Sequence, residues 1–200
     1  MTGKLIVIEG IDASGKGTQI KNVSELLTKN HIKFSTYKFP DLSSVYGKII
    51  NKFLSSNLDL PKDELIMLYL ADMLNKRDKI NDDLNNKDIV LLDRYFTSTI
   101  AYQSEDKDDI HKIKSMVNLI NLRKPDLIIF LDISVNTSLN RKKVRDKLEK
   151  DAKFLSRVRK NYMNMINSGY PSKWVKINGD LERDTVTYKI LEMINKLYGR

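Results

Sequence analysis

The sequence has no cysteine and no long apolar run among its 200 residues, and it has only four prolines and one tryptophan. Without cysteine it can form neither a disulfide nor a thiolate metal site. No apolar stretch approaches the roughly 18 residues that a membrane-spanning helix needs, so no membrane partner is expected. Residues 1–4 lead directly into an apolar strand and show no secretory signal pattern. These absences suit a reducing cytosol, and we expect a cytoplasmic location.

Positive charge is in excess, since 35 lysine and arginine residues face 26 aspartate and glutamate residues, for a formal net charge of +9. This excess favours a polyanionic partner, which could be a nucleic acid or a nucleotide with its phosphates. The lysines are spread along the chain and do not form one block, so ordinary solvated helix faces could account for the same total. Charge alone leaves these interpretations open.

Short apolar runs alternate with longer helical patterns along the chain. Continuous apolar residues, typical of strands buried on both faces, lie at 5–8, 89–92 and 127–131, and weaker strands are predicted at 33–38 and 174–177. Helical patterns lie at 15–29, 45–55, 63–84, 110–122, 137–169 (with a break) and 181–197. The alternation predicts an α/β fold with a five-stranded parallel sheet flanked by helices. Since no linker or repeat interrupts it, residues 1–200 are predicted to form a single domain.

A glycine-rich segment directly follows the first predicted strand. Its spacing, Gly-x-x-x-x-Gly-Lys between a strand and a helix, is that of a phosphate-binding loop, or P-loop. Glycines let backbone amides surround the phosphates, and the lysine contacts the β- and γ-phosphates. The pattern predicts a three-layer P-loop NTPase fold that binds ATP with Mg²⁺ through Gly10, Asp12, Ala13, Ser14, Gly15, Lys16, Gly17 and Thr18. The general pattern has Ser or Thr directly after the lysine, where this chain has Gly17.

A second polar motif, Asp93-Arg94, stands at the end of the strand predicted at 89–92. Ligands of such sheets bind beyond the carboxyl ends of the strands, so this motif is expected beside the P-loop. Asp93 could orient the waters of a Mg²⁺ ion, and Arg94 could bind a phosphate through two parallel hydrogen bonds. The alternative is a helix cap with an exposed arginine. We predict that Lys16, Asp93 and Arg94 are catalytic and that Asp93 is the metal residue.

The segment Asp93-Arg94-Tyr95-Phe96-Thr97-Ser98, with Ala101-Tyr102 after it, resembles the Asp-Arg-Tyr-x-x-Ser and Ala-Tyr pattern of thymidylate kinases. Gly10-x-Asp12, Phe39-Pro40-Asp41 and Pro125-Asp126-Leu127 also resemble that family, and the resemblance covers nearly the whole chain. It implies a nucleoside monophosphate kinase that transfers the γ-phosphate of ATP to dTMP. It also implies a homodimer, for which the helix face with Ile113, Met116, Val117 and Ile120 could serve.

The resemblance also implies roles for residues of the acceptor site. Arg94 is expected to bind the acceptor phosphate and Asp12 the 3′-hydroxyl of the sugar. Tyr102 is expected to lie under the sugar, where it disfavours a 2′-hydroxyl. The remaining residues expected to contact dTMP are Lys38, Phe39, Tyr69, Ser98 and Thr99.

A basic segment resembles the lid that closes over ATP in this family and supplies an arginine to the transferred phosphoryl group. A mobile lid is predicted at about residues 140–153. The basic residues in this range are Arg141, Lys142, Lys143, Arg145 and Lys147, and Arg157, Arg159 and Tyr162 follow it. The P-loop carries Ala13 and Ser14 where some members have an arginine, so the catalytic arginine is expected from the lid. Arg141 is the first candidate and Arg145 the second; a solvated charged helix is the alternative.

The sequence departs from the family pattern at two acceptor positions. Leu42 stands where the family has an arginine for the acceptor phosphate, and Lys38 could supply that charge instead. Met73 stands four residues after Tyr69, where the family has an arginine that binds the carbonyl of thymine. Methionine cannot donate this hydrogen bond, and Arg77, one turn further along the helix, is the candidate to reach the base instead. Alternatively, Tyr69 and Met73 are ordinary core residues.

Other functions fit parts of these patterns. Adenylate kinases share Gly-Lys-Gly-Thr-Gln, and deoxynucleoside kinases share the P-loop, but the segments from Asp93 to Gln103 favour a thymidylate kinase. A nucleotide-switched protein that uses its positive charge on DNA would bind DNA with a steep salt dependence. We do not expect nucleic acid as the partner.

Overall fold

The computed structural model of this protein describes residues 3–141 and 151–198. Its elements, in chain order, are β1 (Lys4–Glu9), α1 (Lys16–Lys29), β2 (Phe34–Lys38), α2 (Val45–Leu54), α3 (Lys62–Asn86), β3 (Ile89–Asp93), α4 (Phe96–Gln103), α5 (Lys107–Leu119), β4 (Leu127–Asp132), α6 (Val135–Arg141), α7 (Ala152–Ser168), β5 (Trp174–Asn178) and α8 (Arg183–Leu197). The five predicted strands are all confirmed.

The strands form one parallel sheet in the order β2-β3-β1-β4-β5. The three central strands are apolar along almost their whole length and are buried on both faces. Burial on both faces is what a parallel sheet with helices above and below requires. The prediction of a three-layer α/β fold with a five-stranded parallel sheet is confirmed.

Alternate residues of β1 point into two separate apolar cores. Leu5 and Val7 belong to the core beneath α3, α4, α5 and α7. Ile6 and Ile8 belong to the core beneath α1 and α8. Side chains of a strand alternate between the faces of the sheet, so one apolar strand supplies both cores.

The sheet register brings the two predicted motifs together. Ile8 of β1 pairs with Asp93 at the end of β3. The P-loop leaves β1 at the same edge of the sheet, two residues further on. Lys38, at the end of β2, pairs with Asp93 from the other side. Three chain segments that are remote in sequence therefore meet beyond the carboxyl ends of adjacent strands.

Three helix boundaries differ from the sequence prediction. Helix α4 (Phe96–Gln103) was not predicted; it has β-branched residues at three of eight positions and is almost completely buried. Tertiary packing overrides its weak helix propensity. Helix α5 begins at Lys107 because Asp106 caps it, three residues before the predicted start. The broken pattern at 137–169 is divided between α6 and α7, and the lid residues 142–150, including Arg145, lie outside the described residues.

The apolar helix face suggested for dimerisation lies inside the subunit. Ile113 and Val117 are buried in the core, and Met116 and Ile120 pack against it. The sheet and neighbouring helices therefore cover Ile113 and Val117, and only Met116 and Ile120 of this face stay partly exposed. No helix within residues 3–141 and 151–198 is long and apolar enough to cross a membrane.

Candidate active site

The P-loop joins β1 to α1 through a backbone that favours glycine. Gly10 and Gly15 have φ values of 156° and 94°, in a region that side chains rarely adopt. A Cβ added at Gly10 would lie 2.8 Å from the Leu131 carbonyl, whereas Gly15 and Gly17 face open space. Helix α1 has no side-chain cap, so its first amides are available to a phosphate, which the helix dipole also attracts.

Lys16 is folded into this loop. Its ammonium donates hydrogen bonds to the carbonyls of Gly10 and Ile11 at 3.0 and 2.9 Å, and to Ser14 Oγ at 3.4 Å. Burial, and then the positive charge of Arg94, lowers the pKa of Lys16 to about 8. The charge of Lys16 is thus held against carbonyl oxygens within the P-loop.

Arg94 and Asp12 form an ion pair that joins the P-loop to the segment after β3. Tyr102 completes this group, because its hydroxyl donates to Asp12 Oδ2 at 2.7 Å and accepts from Arg94 at 3.2 Å. Arg94 also donates to Ser98 Oγ at 3.2 Å and to the Gly10 carbonyl at 3.4 Å. The structure thus brings together four of the predicted acceptor residues beside the P-loop.

The charge state of this group is set by the ion pair. Burial disfavours the guanidinium charge, but Asp12 and the other groups around it, Glu9 among them, together outweigh burial and raise the pKa of Arg94 above its ordinary value. Burial raises the pKa of Tyr102 well above its ordinary value, although Arg94 opposes the shift. Arg94 is therefore a permanent cation and Tyr102 a neutral donor, which suits an anionic ligand and its hydroxyl groups.

Asp93 has the chemistry of a residue that holds hydrated Mg²⁺. It is buried at the end of β3, and its Oδ1 is a buried oxygen with no hydrogen-bond partner. Mg²⁺ in nucleotide sites is held by one or two carboxylates, phosphate oxygens and waters. Within the described residues no group of three or more acidic or histidine side chains could hold a metal alone. Thr18 is exposed in the first turn of α1. The Asp93 carboxylate, with one unpaired oxygen and its place beside the P-loop, fits a Mg²⁺ ion.

Glu9 is a site-proximal residue that the sequence reasoning missed. It ends β1 with 0% exposure, and it accepts hydrogen bonds from Tyr95, Thr97, Ser98 and Tyr162 at 2.6–3.1 Å. A charged residue at the end of an otherwise apolar buried strand is a signal that could have drawn attention to it. The residues that bind it belong to α4 with its N-cap and to α7, far along the chain, so its partners could not be read from the sequence.

The other residues predicted at the acceptor site lie in different environments. Phe39 is buried, with its ring 6.0 Å from that of Tyr95. Thr99 is buried and its hydroxyl has no hydrogen-bond partner. Tyr69 is half-buried on α3, and the side chain of Lys38 is exposed at the end of β2.

The two departures from the family pattern are also resolved in the structure. Met73 is 2% exposed and belongs to the apolar core, as the alternative interpretation suggested for it. Arg77 donates to the Ile120 carbonyl at 3.3 Å and pairs with Asp78, so it is held at the end of α5. Leu42 is exposed and provides no charge. Neither Leu42 nor Met73 can therefore replace the arginine that the family has at its position.

Arg141, the first candidate for the lid arginine, lies at the edge of the P-loop. Its guanidinium donates to the Gly179 carbonyl at 3.3 Å, and at 3.5 Å to the carbonyl of Ala13 in the P-loop. It also pairs with Asp180 at 3.1 Å. It is 40% exposed, so it can exchange these contacts for a bound anion.

Three later residues of the predicted lid serve the packing of α7. Arg159 binds Asp132 through two hydrogen bonds of 2.8 and 3.0 Å, and Tyr162 is buried against Phe130 and Glu9. Arg157 lies over the ring of Phe154. Arg159 and Tyr162 fix α7 to the ends of β4 and β1, whereas Arg157 packs within α7.

The comparisons with known proteins agree with this geometry. A family model described as thymidylate kinase matches residues 8–190. The chain belongs to the thymidylate kinase family. It is 37% identical to a protein of Methanobrevibacter smithii named probable thymidylate kinase, over 82% of this chain and 81% of the relative. It is 32% identical to the thymidylate kinase of Prochlorococcus marinus, over 100% of this chain and 98% of that protein.

Solved thymidylate kinases have the same fold. The structure of the enzyme from Candida albicans covers 98% of this chain with a TM-score of 0.80 at 29% identity, and this chain covers 92% of it. Its published description attributes broad substrate specificity to that enzyme. As a member of the thymidylate kinase family, the chain is a kinase that phosphorylates dTMP to dTDP, with ATP as the phosphate donor of the family.

Proposed function

We propose that this chain transfers the γ-phosphate of ATP in line to the 5′-phosphate of dTMP, with Lys16, Asp93, Arg94 and Arg141 as its catalytic residues. The observation that carries the proposal is the position of the Arg94 guanidinium, which lies between Asp12 and the P-loop carbonyl of Gly10. A permanent cation next to the phosphate cradle can bind the acceptor phosphate and align it with the donor. Phosphoryl transfer needs positioning and charge neutralisation, and it forms no covalent enzyme intermediate.

The P-loop residues hold the donor in this scheme. The backbone from Gly10 to Thr18 surrounds the phosphates, and the Lys16 ammonium exchanges its hydrogen bonds to the loop carbonyls for phosphate oxygens. Arg141 exchanges its contacts with Gly179 and Asp180 for contacts with the bound ATP, the phosphate donor. When bound, Mg²⁺ neutralises charge on the phosphates. Asp93, whose Oδ1 has no hydrogen-bond partner, would be the residue that holds the hydrated ion.

The acceptor sugar is held by the group around Asp12. Asp12 accepts a hydrogen bond from the 3′-hydroxyl, and Tyr102 beneath the sugar disfavours a 2′-hydroxyl. Tyr69, which is half-buried, packs on the base, and the buried residues Phe39 and Thr99 form the wall behind it. Lys38 and Ser98 complete the surroundings of the acceptor. In this scheme the site selects a deoxynucleotide more strongly than it selects a particular base.

Weak base selection follows from the side chains of α3. Met73 lies in the core and Arg77 is bound to the end of α5, so neither donates to the carbonyl of thymine. The loss of one hydrogen bond from a charged group costs about 1.5–3 kcal/mol, which is about a ten- to hundredfold loss of discrimination. We therefore propose that dTMP is the preferred acceptor, with a smaller preference than an arginine at position 73 provides.

A survey of acceptors tests this proposal. ADP release is measured with ATP and, in turn, dTMP, dUMP, dCMP, dGMP, dAMP and UMP, and kcat/KM is compared. We expect dTMP to be used best, with at least one other deoxynucleotide within a thousandfold. A preference for dTMP above a thousandfold over every other acceptor contradicts weak base selection. The variant Leu42→Ala is the control, since an exposed leucine that does not contact the base should leave the order of acceptors unchanged.

We place the reaction in the cytoplasm, in a homodimer. Support for the dimer comes from α3, where Met67 and Leu74 are 56% and 36% exposed. They lie seven residues apart and so share one face of the helix. Apolar side chains grouped on a helix face are typical of subunit interfaces.

A further inference from the structure

Glu9 is a buried carboxylate to which the proposed reaction gives no role. It has 0% exposure, and none of the ion pairs found among the described residues includes it. A carboxylate buried without a directly paired cation is costly unless hydrogen bonds satisfy its oxygens. In this protein neutral groups satisfy them, so the position of each of those groups is tied to that of the carboxylate.

The two oxygens of Glu9 bind different parts of the site. Oε1 accepts from the Tyr95 amide at 3.1 Å and from Thr97 Oγ1 at 2.6 Å. Oε2 accepts from Ser98 Oγ at 2.6 Å and from the Tyr162 hydroxyl at 2.8 Å. One carboxylate therefore joins the end of β1 to the first turn of α4 and to α7.

For α4 the carboxylate takes the place of a cap. Tyr95 is the N-cap residue, and its side chain makes no capping hydrogen bond. Glu9 supplies both functions of a cap from another element, since it accepts from the helix-start amide and brings negative charge to the positive end of the helix dipole. The first turn of α4 is thereby fixed to the strand that carries the P-loop.

Arg94 lies directly before this capped turn, in a conformation that needs support. Its φ is 68°, which is uncommon for a residue with a side chain. Such a conformation persists where the surroundings determine it fully. The Arg94 amide donates to the Ile8 carbonyl at 3.1 Å, and the next amide, of Tyr95, donates to Glu9. Consecutive residues of β1 therefore hold the backbone on both sides of the Arg94 side chain.

The same carboxylate also supports the guanidinium. Arg94 donates to Ser98 Oγ at 3.2 Å, and that hydroxyl is placed by its own hydrogen bond of 2.6 Å to Glu9. Ser98 Oγ and the Tyr162 hydroxyl lie 2.8 Å apart, so α7 closes the same network. The path from Glu9 to Arg94 thus runs through one backbone amide and one hydroxyl.

We propose that Glu9 is a positioning residue that holds Arg94 in the orientation required for phosphoryl transfer, without touching either nucleotide. This inference rests on the proposed function of Arg94. It differs from a purely structural role for Glu9, because a positioning residue acts on turnover through one named side chain.

The test compares Glu9→Gln in two backgrounds, the wild-type chain and Arg94→Ala, with kcat and both KM values measured for ATP and dTMP. Glutamine keeps the size of the side chain, but it removes the charge and turns one acceptor into a donor that faces hydroxyl groups. In the wild-type background we expect kcat to fall about tenfold or more and KM for ATP to change less than about threefold. In the Arg94→Ala background we expect less than a twofold further loss, because the side chain through which Glu9 acts has been removed.

Two results overturn the inference. One is an equal loss of kcat from Glu9→Gln in both backgrounds, which is the result of a purely structural role. The other is a folded Glu9→Gln enzyme with kcat within twofold of the wild type.

If Glu9→Gln does not fold, Thr97→Val replaces it in the same cycle, since it removes one donor to Glu9 and keeps the shape of the side chain. The smaller loss it causes must again vanish with Arg94→Ala. The wild-type chain tests the proposed function separately. If it does not phosphorylate dTMP, the proposed function is wrong, whereas the two results above contradict only the role of Glu9.

Discussion

Lys16 combines burial with a function that needs its charge. Its ammonium has exchanged water for two carbonyls and a hydroxyl, and its pKa is lowered to about 8 by burial and by Arg94. A lowered lysine pKa means that the unfolded chain binds the proton more tightly than the folded chain. Between about pH 8 and the ordinary value of 10.5 this residue therefore makes folding more favourable as pH rises.

ATP binding has the opposite dependence on pH, which gives a first prediction. Phosphates need the protonated ammonium, so above about pH 8 each bound ATP must bring one proton to Lys16. We expect the Kd for ATP to rise by up to about tenfold per pH unit above that point, and to be nearly constant below pH 7.5. Titration calorimetry from pH 7 to 9.5 measures this slope.

The matched control is Lys16→Arg, whose guanidinium stays protonated over the whole range. Even if its affinity for ATP is lower, its Kd should not change with pH above 8. The same slope in both proteins assigns the titration to another group and removes Lys16 from the explanation.

Residue types that carry chemistry could be identified from the sequence, but their partners could not. Lys16, Asp93 and Arg94 stand in motifs with fixed spacing after strands, and the register of a parallel sheet brings them together. Glu9 was missed because its hydrogen bonds come from α4 and α7, far along the chain. Met73 and Arg77 needed the structure because periodicity does not show which face of α3 meets the core and which meets α5.

Among the elements, α2 shows how a helix start shapes the acceptor side. Ser44 caps α2 by accepting from the Gly47 amide at 2.8 Å, and it donates to Asp72 of α3 at 2.5 Å. Asp72, which is fully buried, also accepts from the Asp41 amide at 2.8 Å. The cap of α2 and the loop after Phe39 are therefore held by the same carboxylate, and burial raises the pKa of that carboxylate.

A second prediction concerns Ser44→Ala. The change removes the cap of α2 and one of the donors to a buried carboxylate, so we expect the free energy of unfolding to fall by about 1–2 kcal/mol. Urea unfolding measures the loss. Ser55→Ala at the other end of α2 is the control, since that exposed hydroxyl only donates to the Lys52 carbonyl and accepts from the exposed Asn57 side chain, and a loss within about 0.5 kcal/mol is expected. Equal losses in the two variants contradict this account of the cap.

The elements were predicted well where local pattern decides and poorly where packing decides. The five strands follow from apolar runs, and α3 follows from a long helical pattern. Helix α4 could not be predicted, because β-branched residues disfavour it locally and its stability comes from burial and from the carboxylate of Glu9 at its first turn. The start of α5 depended on a capping aspartate, Asp106, which lies outside the periodic pattern.

At the scale of the whole molecule, the exposed apolar face of α3 predicts the assembly. If Met67 and Leu74 lie at the centre of a dimer interface, an arginine at position 74 must desolvate its charge there and should dissociate the dimer. Light scattering after size exclusion should give about twice the 23.2 kDa chain mass for the wild type, and the chain mass for Leu74→Arg.

Leu119→Arg serves as the comparison for this variant. Leu119 is 85% exposed at the end of α5 and does not belong to the exposed face of α3, so its replacement should leave the dimer intact. A wild-type chain that elutes as a monomer at all concentrations contradicts the proposed dimer, and dissociation by both variants contradicts the proposed interface.

Part of the net charge of +9 is concentrated around the P-loop. Lys16, Arg94 and Arg141 come from three separate segments and surround the P-loop, where a nucleotide supplies the compensating anions. The remaining basic residues are distributed over the chain, which agrees with solvated helix faces.

The most direct test of the central claim follows the phosphorus atoms of ATP and dTMP by ³¹P NMR, with the wild-type chain and with Arg94→Ala. The wild type should form dTDP and ADP in equal amounts and, without dTMP, almost no ADP. Arg94→Ala should be at least about a hundredfold slower, since the acceptor phosphate loses the charge that aligns it. Release of inorganic phosphate independent of dTMP, or equal rates in the two proteins, would contradict an acceptor site built around Arg94.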